Sequence, residues 1–384
     1  MRVLHLITGL AAGGAETQLA ELLRHSDYDA EVVALGNAGC VADEIRADRR
    51  PVRDLGMRSN RQVAVLGGLT GLIRAGGFDV VHTHLYRASV YGRIAARLAG
   101  VPVIVSTEHS LSETGRLEGR QVNGGAWALY RLAERCGDLT IAVSGAVHRT
   151  LRRRGIAEHR LATVPNGLDL GRYAFSLAQR DRVRAELGLD PATRVVGAVG
   201  RLHRWKSLDL AIRAAAPLLG EHGRLLIVGD GEERAALGGL ADRLGVAGWV
   251  HFVGERLDVP ALLSAMDVFV FPSQNETFGL AAVEALAAGL PLVYRHCPAL
   301  DECGPIGPKQ HRVPAEEPAF RAAIQAAFGR GADRRVPGEL RRFDVGRTAR
   351  RVQEIYRELA RRKAGRGRVA EPARLTLRRS GSGQ

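Results

Sequence analysis

Two carboxylates, Glu276 and Glu284, stand in the stretch FPSQNETFGLAAVEALAAGLPLV from Phe271 to Val293, which reads as an apolar strand, a polar turn and an apolar helix. If the helix starts near Thr277 or Phe278, Glu276 lies at its N-terminal edge. There the backbone N–H groups of Phe278, Gly279 and Leu280 have no intrahelical acceptor and can cradle a phosphate. Gly279 lets a ligand come close to the backbone. Glu284 follows two turns later, where a carboxylate can accept hydrogen bonds from ribose hydroxyls, as the acidic residue of a dinucleotide fold does. A second stretch, VGAVGRLHRWKSLDLAI, carries Arg201 and Lys206. A guanidinium fork and an ammonium suit two phosphates, the more so if their charge grows during a reaction. Each feature alone has an ordinary explanation, a core helix with two solvated acids or basic residues near a strand end. Their joint occurrence is what argues for an anionic ligand held between them.

These residues need a scaffold, and 384 residues suit two domains of Rossmann size rather than one core. Short apolar runs alternate with amphipathic segments, the pattern of parallel sheets covered on both faces. The first half predicts strands at Val3–Ile7, Ala30–Leu35, Asp79–Thr83, Val103–Thr107 and Leu139–Val143; the second predicts them at Val195–Val199, Leu225–Val228, Val250–Val253, Val268–Phe271 and Leu292–Tyr294. The turn after the first strand, TGLAAGGAE, sets Gly13 and Gly14 before a helix, where the backbone can approach a phosphate. It is not a Walker loop, since no Lys follows, and its glycine spacing does not fit a dinucleotide fingerprint. Two later strand ends carry polar residues: DVVHTH supplies His82 and His84, and VSTEHS supplies Glu108 and His109. A lone histidine there is more often structural, but two such ends bordering one crevice favour ligand contact. Ser144 reads as a helix N-cap rather than a nucleophile. VPNGLDLGRYAF, with its Pro and Asn-Gly punctuation, marks the domain boundary.

The net charge of +14 is unevenly spread. Residues 341–384 carry fourteen Lys or Arg against four acids, leaving about +4 for everything before them. No nucleic-acid motif accompanies this, so nucleic acid is not an expected partner. The segment from Ala364 to Gln384 is poor in apolar residues and rich in Arg, Gly and Ser, and reads as a disordered basic tail; it has the composition to touch anionic membrane, although a solubilising role fits better. No run of about 18 uncharged apolar residues appears, and a cytoplasmic protein is expected. Cys40, Cys136, Cys297 and Cys303 lack metal-like pairing and are too few for a disulfide framework. No metal is expected either, because no Asp-x-Asp cluster accompanies the phosphate-binding residues.

In its Glu-x7-Glu pair, in the five-residue spacing of Arg201 and Lys206, and in GDGEE and the FVGE at Phe252–Glu255, the chain resembles the retaining glycosyltransferases of family 4 over roughly residues 1–360. The resemblance implies a GT-B fold, two Rossmann-like α/β domains facing each other across a cleft. It divides the chain into an acceptor-side domain (1–167), a nucleotide-sugar domain (168–345), a helix crossing back to the first domain (346–363) and the tail (364–384). It implies transfer of a sugar from a nucleoside diphosphate sugar, uridine being the default base, to a hydroxyl acceptor. Glu276, Arg201, Lys206 and His109 then serve catalysis, Gly14, Phe278, Gly279, Leu280 and Glu284 bind the donor, and His82 and His84 border the acceptor. Asn166 is drawn towards the cleft. After Tyr294 the chain departs from the family, and Pro298 and Asp301-Glu302 are only an echo of its usual loop. Two other readings stay open: a nucleotide-sugar epimerase or phosphorylase of this architecture, and a tandem-Rossmann nucleotide-binding protein without chemistry.

Overall fold

The computed structural model describes residues 1–369 except 60, 61, 63, 113, 114, 118, 119, 122, 305, 308 and 329–332. The first half builds β1 (Arg2–Ile7), β2 (Asp29–Ala34), β3 (Val52–Asp54), β4 (Val80–His84), β5 (Val103–Glu108), the short hairpin β6 (Arg116–Leu117) and β7 (Arg120–Gln121), then β8 (Leu139–Ala142) and β9 (Leu161–Thr163). Seven of them form a parallel sheet in the order β3-β2-β1-β4-β5-β8-β9. The second half repeats the plan with β10 (Arg194–Val199), β11 (Gly223–Val228), β12 (Val250–Phe252), β13 (Val268–Phe271), β14 (Leu292–Tyr294) and β15 (Gln310–Arg312), ordered β12-β11-β10-β13-β14-β15 and also parallel. The three-residue edge strands β3, β9 and β15 escape the apolar-run pattern because so few of their residues are buried.

Strands such as VLHLI and VVHTH are buried along their whole length, because helices cover both faces of a parallel sheet and leave no alternation to read. In each sheet the chain order reverses at one place, between β1 and β4 and again between β10 and β13. Such switch points open a crevice beyond the carboxyl ends of the strands, and there an open α/β sheet takes its ligand.

Two stretches cross between the sheets side by side. Leu168 donates to the Phe343 carbonyl and its own carbonyl accepts from Val345, while Gln18 grips Gly167 through both its amide groups. The second crossing leads into a helix, Val345–Val369, whose Ala349, Val352, Ile355 and Tyr356 join the core of the first domain. Lys363 pins it there through the Pro102 carbonyl and the Asp138 carboxylate. The helix is described as far as Val369, six residues into the segment read from the sequence as a basic tail, and residues 370–384 of that segment lie outside the described residues.

Candidate active site

Both switch points open into one cleft of roughly 880 Å³ between the domains, a size suited to a nucleotide-sized ligand. Its second-domain wall comes from the turns after β10 and β13. Gln274 ties the two turns together, its N–H donating to the Trp205 carbonyl and its side-chain amide to the Ser207 hydroxyl at 2.9 Å. That link brings Lys206 against Glu276, Nζ to Oε1 at 2.6 Å, with the carboxylate nearly buried. Arg201 lines the same wall and is exposed. An ammonium held by a carboxylate beside a free guanidinium concentrates charge in a partly desolvated recess, where it acts more strongly on phosphate than in water.

The helix itself begins at Leu280, not at Thr277 or Phe278. Gly279 is its N-cap and has φ +96°, and a β-carbon there would run into the Cys297 thiol, so the chain turns into the helix two or three residues later than the sequence suggests. Glu276 thus stands four positions before the first helical residue, while Glu284 sits in the second turn. The Glu284 carboxyl accepts from the Tyr173 hydroxyl at 3.1 Å, and burial pushes it up to about 7. Phe278, Gly279, Leu280 and Glu284 all line the cleft.

The first-domain wall includes Gly13, Gly14, Asn166 and His109, together with the charged Glu16, Glu44, Arg58 and Arg87. Gly14 faces the second domain so closely that a β-carbon would lie 3.1 Å from Leu280 Cδ1. His109 lines the cleft with its Nδ1 buried and without a partner among the described residues, while its Nε2 meets His84 at 3.2 Å. His82 and His84 do not border the cleft. They lie behind its wall in the central strand, where His82 binds Tyr356 of the C-terminal helix and Thr107, and His84 lies between His5 and His109. Among the described residues, His5, His82 and His84 lie close enough to share an ion, yet hydrogen bonds already engage both nitrogens of each ring. Glu108 is structural as well, accepting from the backbone of Ser110 and Leu111 and from Tyr130.

Sequence reading missed how the walls are joined. The Thr277 hydroxyl donates to the His109 carbonyl at 2.6 Å, and the Ser144 hydroxyl, N-cap of the Gly145–Arg153 helix, donates to the Thr277 carbonyl at 2.6 Å. Glu302, from the loop that departs from the family, reaches the first domain at the N-terminus of that helix, accepting from the N–H groups of Gly145 at 2.8 Å and Ala146 at 2.5 Å. Arg116 of the first domain stacks over Trp205 of the second. These contacts join residues as much as 168 positions apart, and the only local signal was Ser144 as an N-cap.

The family model described as Glycosyltransferase Family 4 matches residues 12–172, and that described as Glycosyl transferases group 1 matches residues 193–328. The UDP-Gal:alpha-D-GlcNAc-diphosphoundecaprenol alpha-1,3-galactosyltransferase of Escherichia coli is 31% identical over 291 residues, 71% of this chain and 73% of the relative. The D-inositol 3-phosphate glycosyltransferase of Rhodococcus opacus is 32% identical over 57% of this chain and 52% of its own length. Among solved structures, Anabaena HepE in complex with UDP-glucose superposes with a TM-score of 0.80 at 23% identity over 93% of this chain and all of HepE. Sucrose-phosphate synthase from Thermosynechococcus elongatus does so with a TM-score of 0.75 at 22% identity over 94% of this chain and 99% of its own. An epimerase, a phosphorylase or a non-catalytic nucleotide-binding protein finds no support among these relatives. With two parallel-sheet α/β domains, the phosphate-binding residues gathered at one cleft and a 31% identical transferase covered over most of its length, the chain belongs to glycosyltransferase family 4 and has the GT-B fold.

Proposed function

We propose that the enzyme moves a sugar from a UDP-sugar to a hydroxyl acceptor with retention of anomeric configuration. The observation that carries this reading is the Lys206–Glu276 pair beside Arg201 and the N-terminus of the Leu280–Ala287 helix, all on one wall of the cleft. Arg201, Lys206 and the first N–H groups of that helix meet the diphosphate, whose negative charge grows as the glycosidic bond breaks. Gly14 allows the opposite wall to close on it. Glu284, with Tyr173 beside it, takes the ribose hydroxyls. HepE with UDP-glucose and the UDP-Gal transferase of Escherichia coli support a uridine donor.

Glu276 holds the sugar near the phosphates rather than attacking it. It is bound to Lys206 and Glu284 to Tyr173, so the two carboxylates serve different parts of the donor instead of flanking one anomeric carbon, the arrangement double displacement requires. The departing phosphate then takes the acceptor proton on the face it leaves, and no glycosyl-enzyme forms. The reading makes this a cytoplasmic enzyme whose basic C-terminal segment serves solubility, with peripheral contact to anionic membrane as the second reading of that segment. No helix among the described residues is long and apolar enough to cross a membrane.

The test is UDP release from UDP-glucose and UDP-galactose across a panel of hydroxyl acceptors, followed by NMR of the product's anomeric centre. Retained configuration and no sugar adduct on the intact protein by mass spectrometry are expected. Inversion overturns the retaining assignment; a trapped adduct overturns only the mechanism. Co-sedimentation with anionic vesicles that falls as salt rises would support a membrane contact through the basic segment; none at low salt would remove it, and binding insensitive to salt would assign it to apolar contacts instead.

A further inference from the structure

Behind the first-domain wall runs a file of polar side chains that transfer chemistry does not by itself require. The Tyr28 hydroxyl lies 3.0 Å from His5 Nε2, His5 Nδ1 lies 3.1 Å from His84 Nε2, and His84 Nδ1 lies 3.2 Å from His109 Nε2. The file ends at His109 Nδ1, a buried nitrogen without a partner among the described residues, on a ring that lines the cleft. We propose that Tyr28, His5 and His84 are positioning residues that hold His109 in the tautomer protonated at Nδ1, so that the cleft wall offers a neutral N–H donor to a sugar oxygen of the bound nucleotide sugar. The inference rests on the donor reading above.

The argument is one of proton counting. Burial drives His5 down to about 3 and His109 to about 4, with His84 well below its ordinary value, so each ring is neutral and carries one proton. A bond between two ring nitrogens needs that proton on one side only. Once the direction of the first bond is chosen, all the others follow. Burial also raises Tyr28 to about 12, so its proton stays on. A phenol is a stronger acid than a neutral imidazole N–H, and the better hydrogen bond has Tyr28 donating to His5 Nε2. His5 must then donate from Nδ1 to His84 Nε2, and His84 from Nδ1 to His109 Nε2. His109 is left with its proton on Nδ1. A buried N–H without a partner is costly, and an oxygen of the ligand relieves that cost on binding. Tyr356 joins the file from the side: it shares a hydrogen bond with the Tyr28 hydroxyl, its own hydroxyl lies 2.5 Å from His82 Nδ1, and His82 Nε2 lies 2.7 Å from the Thr107 hydroxyl.

Nitrogen-15 NMR of the ligand-free protein, labelled at histidine and assigned with His109→Asn, reads the tautomer directly. Wild-type His109 should show a protonated Nδ1 and a bare, hydrogen-bonded Nε2; the opposite tautomer or a doubly protonated ring overturns the proposal. Tyr28→Phe removes the donor that sets the direction, and His84→Gln breaks the file beside His109. In both variants the Nδ1-protonated fraction should fall, and UDP-glucose should bind about tenfold more weakly while UDP binds as before. Equal losses for UDP and UDP-glucose with the tautomer unchanged would show a merely structural role and overturn it too. If wild type binds neither ligand, the donor reading fails, while the tautomer measurement still decides the file. If the variants do not fold, the wild-type spectrum decides it alone.

Discussion

The two walls of the cleft answer the same ligand with opposite chemistry. The second domain presents charge: Arg201 exposed, and Lys206 and Glu276 paired on turns bound to each other. The first presents a glycine turn and a neutral imidazole backed by other neutral imidazoles, and Glu16, Glu44, Arg58 and Arg87 also line it. A leaving diphosphate gains charge as the bond breaks, so Arg201 and Lys206 should act mostly on the transition state and His109 mostly on recognition. Lys206→Ala tests this division most severely. It strips one cation from the phosphates and leaves Glu276 unpaired, and kcat should fall by about 10² to 10³ with donor KM little changed. Glu276→Gln should likewise lose most of kcat. Steady-state kinetics showing intact kcat and a raised KM would mean uniform binding, and the contrast between the walls would dissolve.

Glu284 sits on the charged wall but differs from its neighbours, because burial lifts its carboxyl to about 7. Ribose hydroxyls donate best to the ionised form, so donor binding should strengthen as pH rises from 6 to 8 and then level off. Glu284→Gln keeps a partner for Tyr173 but cannot ionise. Above pH 7 its donor affinity should be about 10- to 100-fold weaker, and the pH dependence should flatten. Calorimetry at pH 6 and pH 8 measures both, and an unchanged pH slope in the variant would assign the titration elsewhere. The sign for stability runs the other way. A carboxyl whose folded pKa lies above its unfolded value of 4.5 favours folding only while protonated, so its contribution is present below about 4.5 and lost as pH rises through about 7.

The walls also differ in how much of them could be read beforehand. Arg201, Lys206, Glu276, Gly279 and Glu284 sit in two continuous stretches whose spacing carries the chemistry, and all five line the cleft. Only the helix start was misjudged, because the left-handed turn at Gly279 depends on the Cys297 thiol packed against it. The first-domain wall depends on contacts that no window contains. His82 and His84 stand at a strand's carboxyl end, but Tyr356, 274 positions on from His82, arrives with the C-terminal helix and claims that face for the core. Parallel pairing sets His5 level with His82, and side-chain bonds then run from His5 to His84, an arrangement invisible without the sheet order. The two parallel sheets were legible because buried strands read as apolar runs, and the edge strands β3, β9 and β15 were not because they barely bury anything.

The smallest effect expected concerns the contacts that hold the walls together. Thr277 follows Glu276 directly, and its hydroxyl donates to the carbonyl of His109, so one residue ties the charged wall to the neutral one. Thr277→Val keeps the shape and removes the donor; Thr277→Ser keeps the donor and removes a methyl. If closure aligns Glu276 against His109, Val should lower kcat/KM by about 3- to 10-fold, the worth of one net hydrogen bond, and Ser should restore most of it. Glu302→Ala should act in the same direction from the far side, since it uncaps the Gly145–Arg153 helix and removes a carboxylate from its positive end, together about 1 to 2 kcal/mol. A cap that served only local stability would lower the melting temperature and leave kinetics alone. One that serves closure should also enlarge the ligand-free protein's radius of gyration in solution scattering, with UDP-glucose bringing it back. Val and Ser variants with equal kinetics would show that the walls meet by packing alone, with the hydroxyl incidental.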